Sequence, residues 1–405
     1  MSRYIGRCFC CLFVISLVAG VLLYQFKVFG SVDELCLGAL LVLFFIHLFR
    51  TKDWAMNKGL LTVLAIFTFY LFYSLSIQSN STPAIFTDLL VQMKPYLAFF
   101  CVYQLRPSLS KRQRLLINEF CLVCWVILIP FAIIGLIDPL YLMPLIGHPA
   151  LLAASAAAIA LVYLYTCERY SRRTILIFIG LLALGIGSTR SKFYGFFVFT
   201  SFLAFFLQDT NRFKLNIKNL LILLGVMGVM AFVAREKIMF YFVQGLSKDV
   251  DKEFIARFAL YATSGEIFMD YLPFGSGLGS FATYASGEYY SPVYAKYGLD
   301  GIWGLSKSYG AYITDTYYPS LAQFGIVGVA LFLSFWVYLL RKAYLYTQWS
   351  GNSRPLLIAA SIMGYFAVEN IADATLTSSR GFFFMLLLGL AFSEMSSARK
   401  TAAGE

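Results

Sequence analysis

Charged side chains are scarce in this chain of 405 residues. Asp, Glu, Lys and Arg make up 13% of it, with a mean hydropathy of +0.74, where ordinary soluble domains carry about 25% charged residues. That shortage excludes a water-soluble globular protein. Histidine is limited to His47 and His148, too few for a metal centre built from His and Cys. The sequence has no GxxxxGK[ST], no GxGxxG opening a helix after a strand and no GxSxG, which disfavours nucleotide-driven transport and an α/β-hydrolase esterase. The eight cysteines all fall in or beside apolar segments and form no disulfide framework. Cys121 and Cys124 make a CxxC inside an apolar segment with no second pair, and this reads as packing.

Long apolar runs are what the chain has in their place. Twelve occur, near 8–26, 35–49, 59–77, 85–105, 115–136, 149–166, 174–188, 192–208, 219–234, 317–340, 355–372 and 381–396. At roughly 20 residues per crossing, they predict an all-α polytopic membrane protein of about 12 transmembrane helices. No small-residue cleavage site follows the first run, so it is expected to stay as a span. No internal repeat relates the two halves, unlike many transporters.

The net charge of +11 is explained by where the cations fall. Placing Arg3 and Arg7 in the cytoplasm puts basic clusters there at Arg50–Lys58, Arg106–Arg114, Arg169–Arg173, Arg212–Lys218, Arg341–Arg354 and Arg399–Lys400, which accounts for 20 of the 32 Lys and Arg. Every second gap is basic, as short cytoplasmic loops are. The charge therefore calls for no nucleic acid, and both termini are expected in the cytoplasm.

One gap on the other face is far longer than a connector. The chain divides into 1–234 with spans one to nine, 235–316 as a large extracytoplasmic loop, and 317–405 with the last three spans and a short tail. Loops of this length are functional or disordered, and the many Tyr residues argue against disorder. Within it, Phe254–Tyr271 carries apolar residues at helical spacing, which predicts an amphipathic helix at the membrane face. The next segment, PFGSGLGSF, must turn.

Cations on that face break the orienting rule and each needs a reason. Arg190 and Lys192 sit in STRSKFYG, Arg235 and Lys237 open the large loop, Arg257 lies on the amphipathic helix, and Arg380 precedes the last span. They serve either as interfacial anchors or as a convergent clamp on a polyanion such as a lipid-linked pyrophosphate. The candidate carboxylates are Asp315, just before the tenth span, and Glu369 with Asp373, which share a face if their helix persists. These acids form either an ion-pair network or catalytic groups. Lys94, Asp88 and Glu119 are intramembrane charges that either act in function or join helices. Tyr241, Tyr284, Tyr289, Tyr290, Tyr294 and Tyr297 either stack on sugar rings or line the interface.

In their order and shared placement, three segments resemble the O-antigen polymerase (Wzy-type) and ligase superfamily of bacterial polysaccharide assembly. They are STRSKFYG, ARFALYATSGEIFMDYLPFGSGLGSF and ITDTYYPSLAQFGIVGVALFL, about a fifth of the chain. The resemblance implies a GT-C-like fold in the bacterial cytoplasmic membrane. It also implies glycosyl transfer at the outer face between undecaprenyl-pyrophosphate-linked repeats of O-antigen, capsule or exopolysaccharide. By that likeness Arg190 and Arg257, with Arg235 behind them, bind pyrophosphate, and no metal or nucleotide cofactor is needed. The implied partners are the lipid-linked glycan, membrane lipid, a chain-length regulator and a flippase. Family ligases carry a His where this chain has Asp315, so polymerase is the better branch. Asp315 is the first candidate base, with Glu369 and Asp373 next. The alternatives are a ligase or other polyprenyl-donor glycosyltransferase, and a lipid-linked glycan transporter.

Overall fold

The computed structural model describes residues 2–51, 58–208, 225 and 252–403, and every regular element among them is helical. The helices are α1 (Ser2–Leu17), α2 (Val32–Thr51), α3 (Lys58–Ile77), α4 (Thr82–Leu105), α5 (Lys111–Ile137), α6 (Met143–Ile146), α7 (Pro149–Thr166) and α8 (Arg172–Ala183). They continue with α9 (Ser191–Phe206), α10 (Lys252–Asp270), α11 (Tyr284–Glu288), α12 (Pro292–Lys296), α13 (Gly325–Ser350), α14 (Arg354–Glu369) and α15 (Ser379–Ala403). Among the described residues, eight helices are long and apolar enough to cross a membrane: α1 with the π turn after it, α2 to α5, α7, α13 with the turn before it, and α15.

The expected stretches at 174–188, 192–208 and 355–372 are also helical, as α8, α9 and α14, but these run only 12, 16 and 16 residues. The stretch at 219–234 and the start of the expected loop, Arg235 and Lys237 included, lie outside the described residues. The physical cause of the short α8 is visible. It tightens into a 3-10 turn at Leu184–Ser188, whose backbone lies directly on α5. A Cβ on Gly187 would stand 2.5 Å from the Ala132 Cα, and one on Gly135 would stand 2.0 Å from the Gly187 carbonyl oxygen. Only glycine permits that approach.

Two helices form the interior. The run PALLAASAAAIALVYLYT of α7 is buried along nearly its whole length, and its alanines let α5, α8 and α14 pack close around it. In α15 the run from Phe382 to Phe392 is buried against α4 and α14. A helix apolar on all sides belongs inside a bundle.

The helix ends sort into two sets. At the end richest in Lys and Arg, Arg114 of α5 is ion-paired with Glu394 of α15, and the Tyr165 hydroxyl of α7 donates to the same carboxylate at 2.6 Å. Arg354 of α14 donates there to the Cys167 carbonyl at 2.5 Å. The opposite set holds the starts of α7, α9 and α15 and the end of α14.

Two intramembrane charges join elements. Lys94, midway along α4, is ion-paired with Asp33 and donates to Glu34 at 2.9 Å, both at the start of α2. Asp88 is fully buried and accepts from the Gly279 amide at 2.8 Å and from the Gln323 side chain at 2.9 Å. Glu119 is exposed on α5.

The expected amphipathic helix is α10. After it the glycine-rich segment turns and docks on α3 and α4, where the Ser74 hydroxyl accepts from the Leu278 amide at 2.8 Å and Asn80 donates to the Gly279 carbonyl at 2.7 Å. Gly275 adopts φ +82°, and a Cβ there would come within 2.3 Å of the Gly325 nitrogen. Residues 252–316 contribute to a hydrophobic core of their own, including Leu260, Ile267, Phe281, Tyr294 and Leu305. Tyr294 is fully buried in it and its hydroxyl accepts from the Ala282 amide at 2.9 Å, so this tyrosine packs inward and stacks on no ligand. Tyr290 likewise donates inward to the Leu305 carbonyl, Tyr297 donates to Asp270, and Tyr284 and Tyr289 are exposed. Tyr241 lies outside the described residues.

Asp88→Ala leaves the Gly279 amide and the Gln323 side chain without their acceptor. The expected cost is about 1–3 kcal/mol for each group left unpaired, read as a lower melting temperature and faster proteolysis within 274–283. Asp88→Asn keeps an acceptor oxygen and is expected to lose less.

Candidate active site

Four chain segments meet at the end of the bundle opposite the basic clusters. The first is His148, the N-cap of α7, whose Nδ1 accepts from the Ala150 amide at 3.2 Å. Pro149 at the first helical position fixes where that helix begins. The second is the turn into α9. Thr189 takes φ +51°, Arg190 is the N-cap residue, and Lys192 lies in the first turn. The third is the end of α14 with the loop after it, carrying Glu369 and Asp373, and the fourth is the start of α15 with Arg380.

Contacts join them. Lys192 Nζ donates to Glu369 Oε2 at 2.8 Å and to the Ala372 carbonyl at 3.4 Å. Arg380 Nη2 donates to Asp373 Oδ2 at 2.8 Å, and its guanidinium lies 5.4 Å from the centre of the Tyr24 ring. Arg190 Nη1 is 3.3 Å from His148 Nε2. Beside them is a cavity of about 410 Å³ walled by Tyr24, Gln25, Gly30, Gly147, His148, Ala150, Leu151, Asp373 and Arg380.

Arg257 and Asp315 form a third ion pair, between α10 and the segment before α13. One turn along α10, the Tyr261 hydroxyl donates to the Ile371 carbonyl at 2.8 Å, which ties this pair's helix to the loop of the first cluster. Thus Arg190, Lys192, Arg380, Glu369 and Asp373 come together, and Arg257 with Asp315 stands on a helix that touches their loop. Arg235 lies outside the described residues. The shared helical face expected for Glu369 and Asp373 does not exist, because α14 ends at Glu369 and Asn370 caps it. Lys192 and the loop bring the two acids near each other instead.

The cluster holds three cations against two carboxylates, so it carries a surplus positive charge. Burial raises the Asp373 carboxyl, but the Arg380 guanidinium, with Lys192 and Arg190, outweighs burial and holds it below the usual carboxylate range. Donors are in surplus as well. With Nδ1 accepting from Ala150, neutral His148 carries its proton on Nε2, so two donors face each other across the Arg190 contact. The Nε of Arg380, a 5% exposed residue, has no hydrogen-bond acceptor among the described residues. An oxyanion supplies what these groups lack.

Burial, then Arg190, push the His148 pKa below its ordinary 6.5, with Asp373 opposing and Arg380 and Lys192 assisting. The folded protein thus holds a neutral imidazole that the unfolded chain would protonate first. Stability from this residue is complete above pH 6.5 and is lost as pH falls from there through the lower folded pKa. His148→Asn, which keeps a capping oxygen, is expected to flatten the decline in melting temperature below pH 6.5 relative to wild type. An unchanged slope would count against the assignment.

In the sequence His148 counts only as one of two histidines, too few for a metal centre, and Tyr24 is not singled out. His148 had a signal, its place directly before Pro149 at a helix start. Tyr24 had none, since its role depends on the α1–α2 connection folding back to Arg380. Compared with known proteins, the chain matches no protein-family model and no curated sequence.

Proposed function

We propose that this protein is a polymerase of undecaprenyl-pyrophosphate-linked oligosaccharide repeats. On this reading it has twelve spans, and the segment around 235–316 lies outside the bacterial cytoplasmic membrane. The observation that carries the reading is the convergence of Arg190, Lys192 and Arg380 near a cavity that Arg380 and His148 line, with donors to spare. The reaction is attack by a sugar hydroxyl on the anomeric carbon of the growing chain. A new C–O bond forms as the bond to pyrophosphate breaks. The leaving group needs no proton, so the main tasks are to position two large substrates and to stabilise charge developing on the phosphate oxygens.

Arg190 and Arg380 are placed for that charge, and Lys192 supports them from its ion pair with Glu369. Arg257 offers a further phosphate contact from α10. The hydroxyl proton goes to a carboxylate, with Asp315 the first candidate and Glu369 and Asp373 next. Each of the three carboxylates faces a cation.

The test is incubation of purified protein with the undecaprenyl-pyrophosphate-linked repeat of its own organism, with chain length read on a gel. A ladder of longer lipid-linked chains is expected from wild type and none from Arg190→Ala. A wild-type protein that binds the substrate and leaves it unextended would overturn the reading.

A further inference from the structure

A second cavity, also about 410 Å³, opens between α3, α4 and α13 and extends to the basic end of the bundle. Val63, Phe67, Tyr96, Phe99, Leu331 and Phe335 line it, and Leu331 is 38% exposed on its rim. Its two lysines share one end, where Lys58 opens α3 and Lys342 lies in the second half of α13. From Gly328 to Lys342 along α13 the groove runs about 21 Å at 1.5 Å per residue, more than one leaflet of a hydrocarbon core roughly 30 Å thick.

Lys342 sets this groove apart. Its Nζ donates to the Tyr103 hydroxyl at 2.7 Å and to the Tyr338 hydroxyl at 3.4 Å. Both partners are hydroxyls and neither is a carboxylate. Lys94, Arg114, Lys192, Arg257 and Arg380 each hold a carboxylate, whereas no described carboxylate lies within ion-pair distance of Lys342 or of exposed Lys58. A cation at a membrane boundary is complemented by lipid phosphate where the chain provides no acid.

We infer that this groove is a binding site for an anionic phospholipid, with the phosphate held by Lys342 and Lys58 and one acyl chain lying along Phe99, Phe335 and Tyr96. The inference is independent of the glycan reading. The two lysines stand at the far end of the bundle from Arg190 and Arg380, so a lipid seated here has its head in the leaflet away from that cluster.

Native mass spectrometry tests it. Full-length protein in detergent is titrated with phosphatidylglycerol or phosphatidylcholine of identical acyl chains. Wild type is expected to retain the anionic lipid in preference, with each lysine contributing roughly fivefold. Lys58→Gln with Lys342→Gln is expected to bring retention down to the phosphatidylcholine level, and Leu331→Trp to weaken both lipids by filling the groove. Lys58 is exposed, so Lys58→Gln alone keeps the fold and must still lose about fivefold. Equal retention of the two lipids by wild type overturns the inference, as does an unchanged preference in Lys58→Gln. Undecaprenyl phosphate that competes equally well in wild type and in the lysine variants would give the groove to an isoprenoid, and that too overturns it.

Discussion

Lys94→Met is expected to cost about 3–5 kcal/mol of stability, because it removes the cation from a buried carboxylate and leaves that charge uncompensated. Asp33 is 3% exposed and its Oδ1 accepts from the Ser379 hydroxyl at 2.9 Å. The measurement is thermal unfolding in detergent. Lys94→Met combined with Asp33→Asn is expected to recover most of the loss, since the amide keeps an oxygen for Ser379 and carries no charge. A double variant as unstable as the single one would show that packing around the lysine stem, and not the stranded charge, is what matters. The consequence extends beyond stability. Lys94 holds Asp33 midway along α4, Asp33 holds Ser379, and Arg380 follows at the wall of the cavity beside His148. The α1–α2 connection that carries Tyr24, Gln25 and Gly30 is thus pinned by a pair of charges inside the bundle.

These connections explain what the sequence could and could not reveal. Hydropathy reports one segment at a time, so the apolar runs of α1 to α5, α7, α13 and α15 were legible, although α1 starts earlier than its run near 8–26 and α13 and α15 continue past the ends of theirs, at 340 and 396. It does not register the cause of the break in α8, which is contact between Gly187 and α5. The candidate site residues stood out because a charge among apolar neighbours is a local property. Arg190, Lys192 and Arg380 stand out from their own neighbours, and so do Glu369 and Asp373. Their pairing was not legible. Glu369 with Asp373 looked like a helical i, i+4 pair, whereas each acid finds its cation on a different element. Asp88 was legible as a buried charge, but its partners, Gly279 and Gln323, lie about 190 and 235 positions away along the chain. His148 was under-read because its importance depends on the approach of Arg190 from 42 residues onward.

On the proposed polymerase reading, Arg380→Met is expected to reduce elongation on the order of 10²–10³-fold, the loss typical of removing one preorganised group that faces developing oxyanion charge. The effect should fall on kcat, with melting temperature changed far less than in Lys94→Met, because Asp373 is 26% exposed and water can replace part of its partner. Arg380→Lys keeps the charge, yet a lysine ammonium offers no Nε–H alongside a second donor to Asp373, so only partial recovery is expected. The pH profile separates this role from a structural one. In wild type the carboxyl of Asp373 is depressed despite burial, chiefly by Arg380, so its ion pair persists until pH falls through that low folded pKa. With Arg380 removed, Lys192 and Arg190 remain as weaker influences, the carboxyl rises, and the acid limb of activity moves to higher pH. A uniform loss across pH with the acid limb unmoved would mean that Asp373 takes no part in the titrating step. The cation would then act on substrate alone. A variant with wild-type kcat would remove Arg380 from the site and leave Arg190, with Lys192 and Arg257, to meet the phosphate.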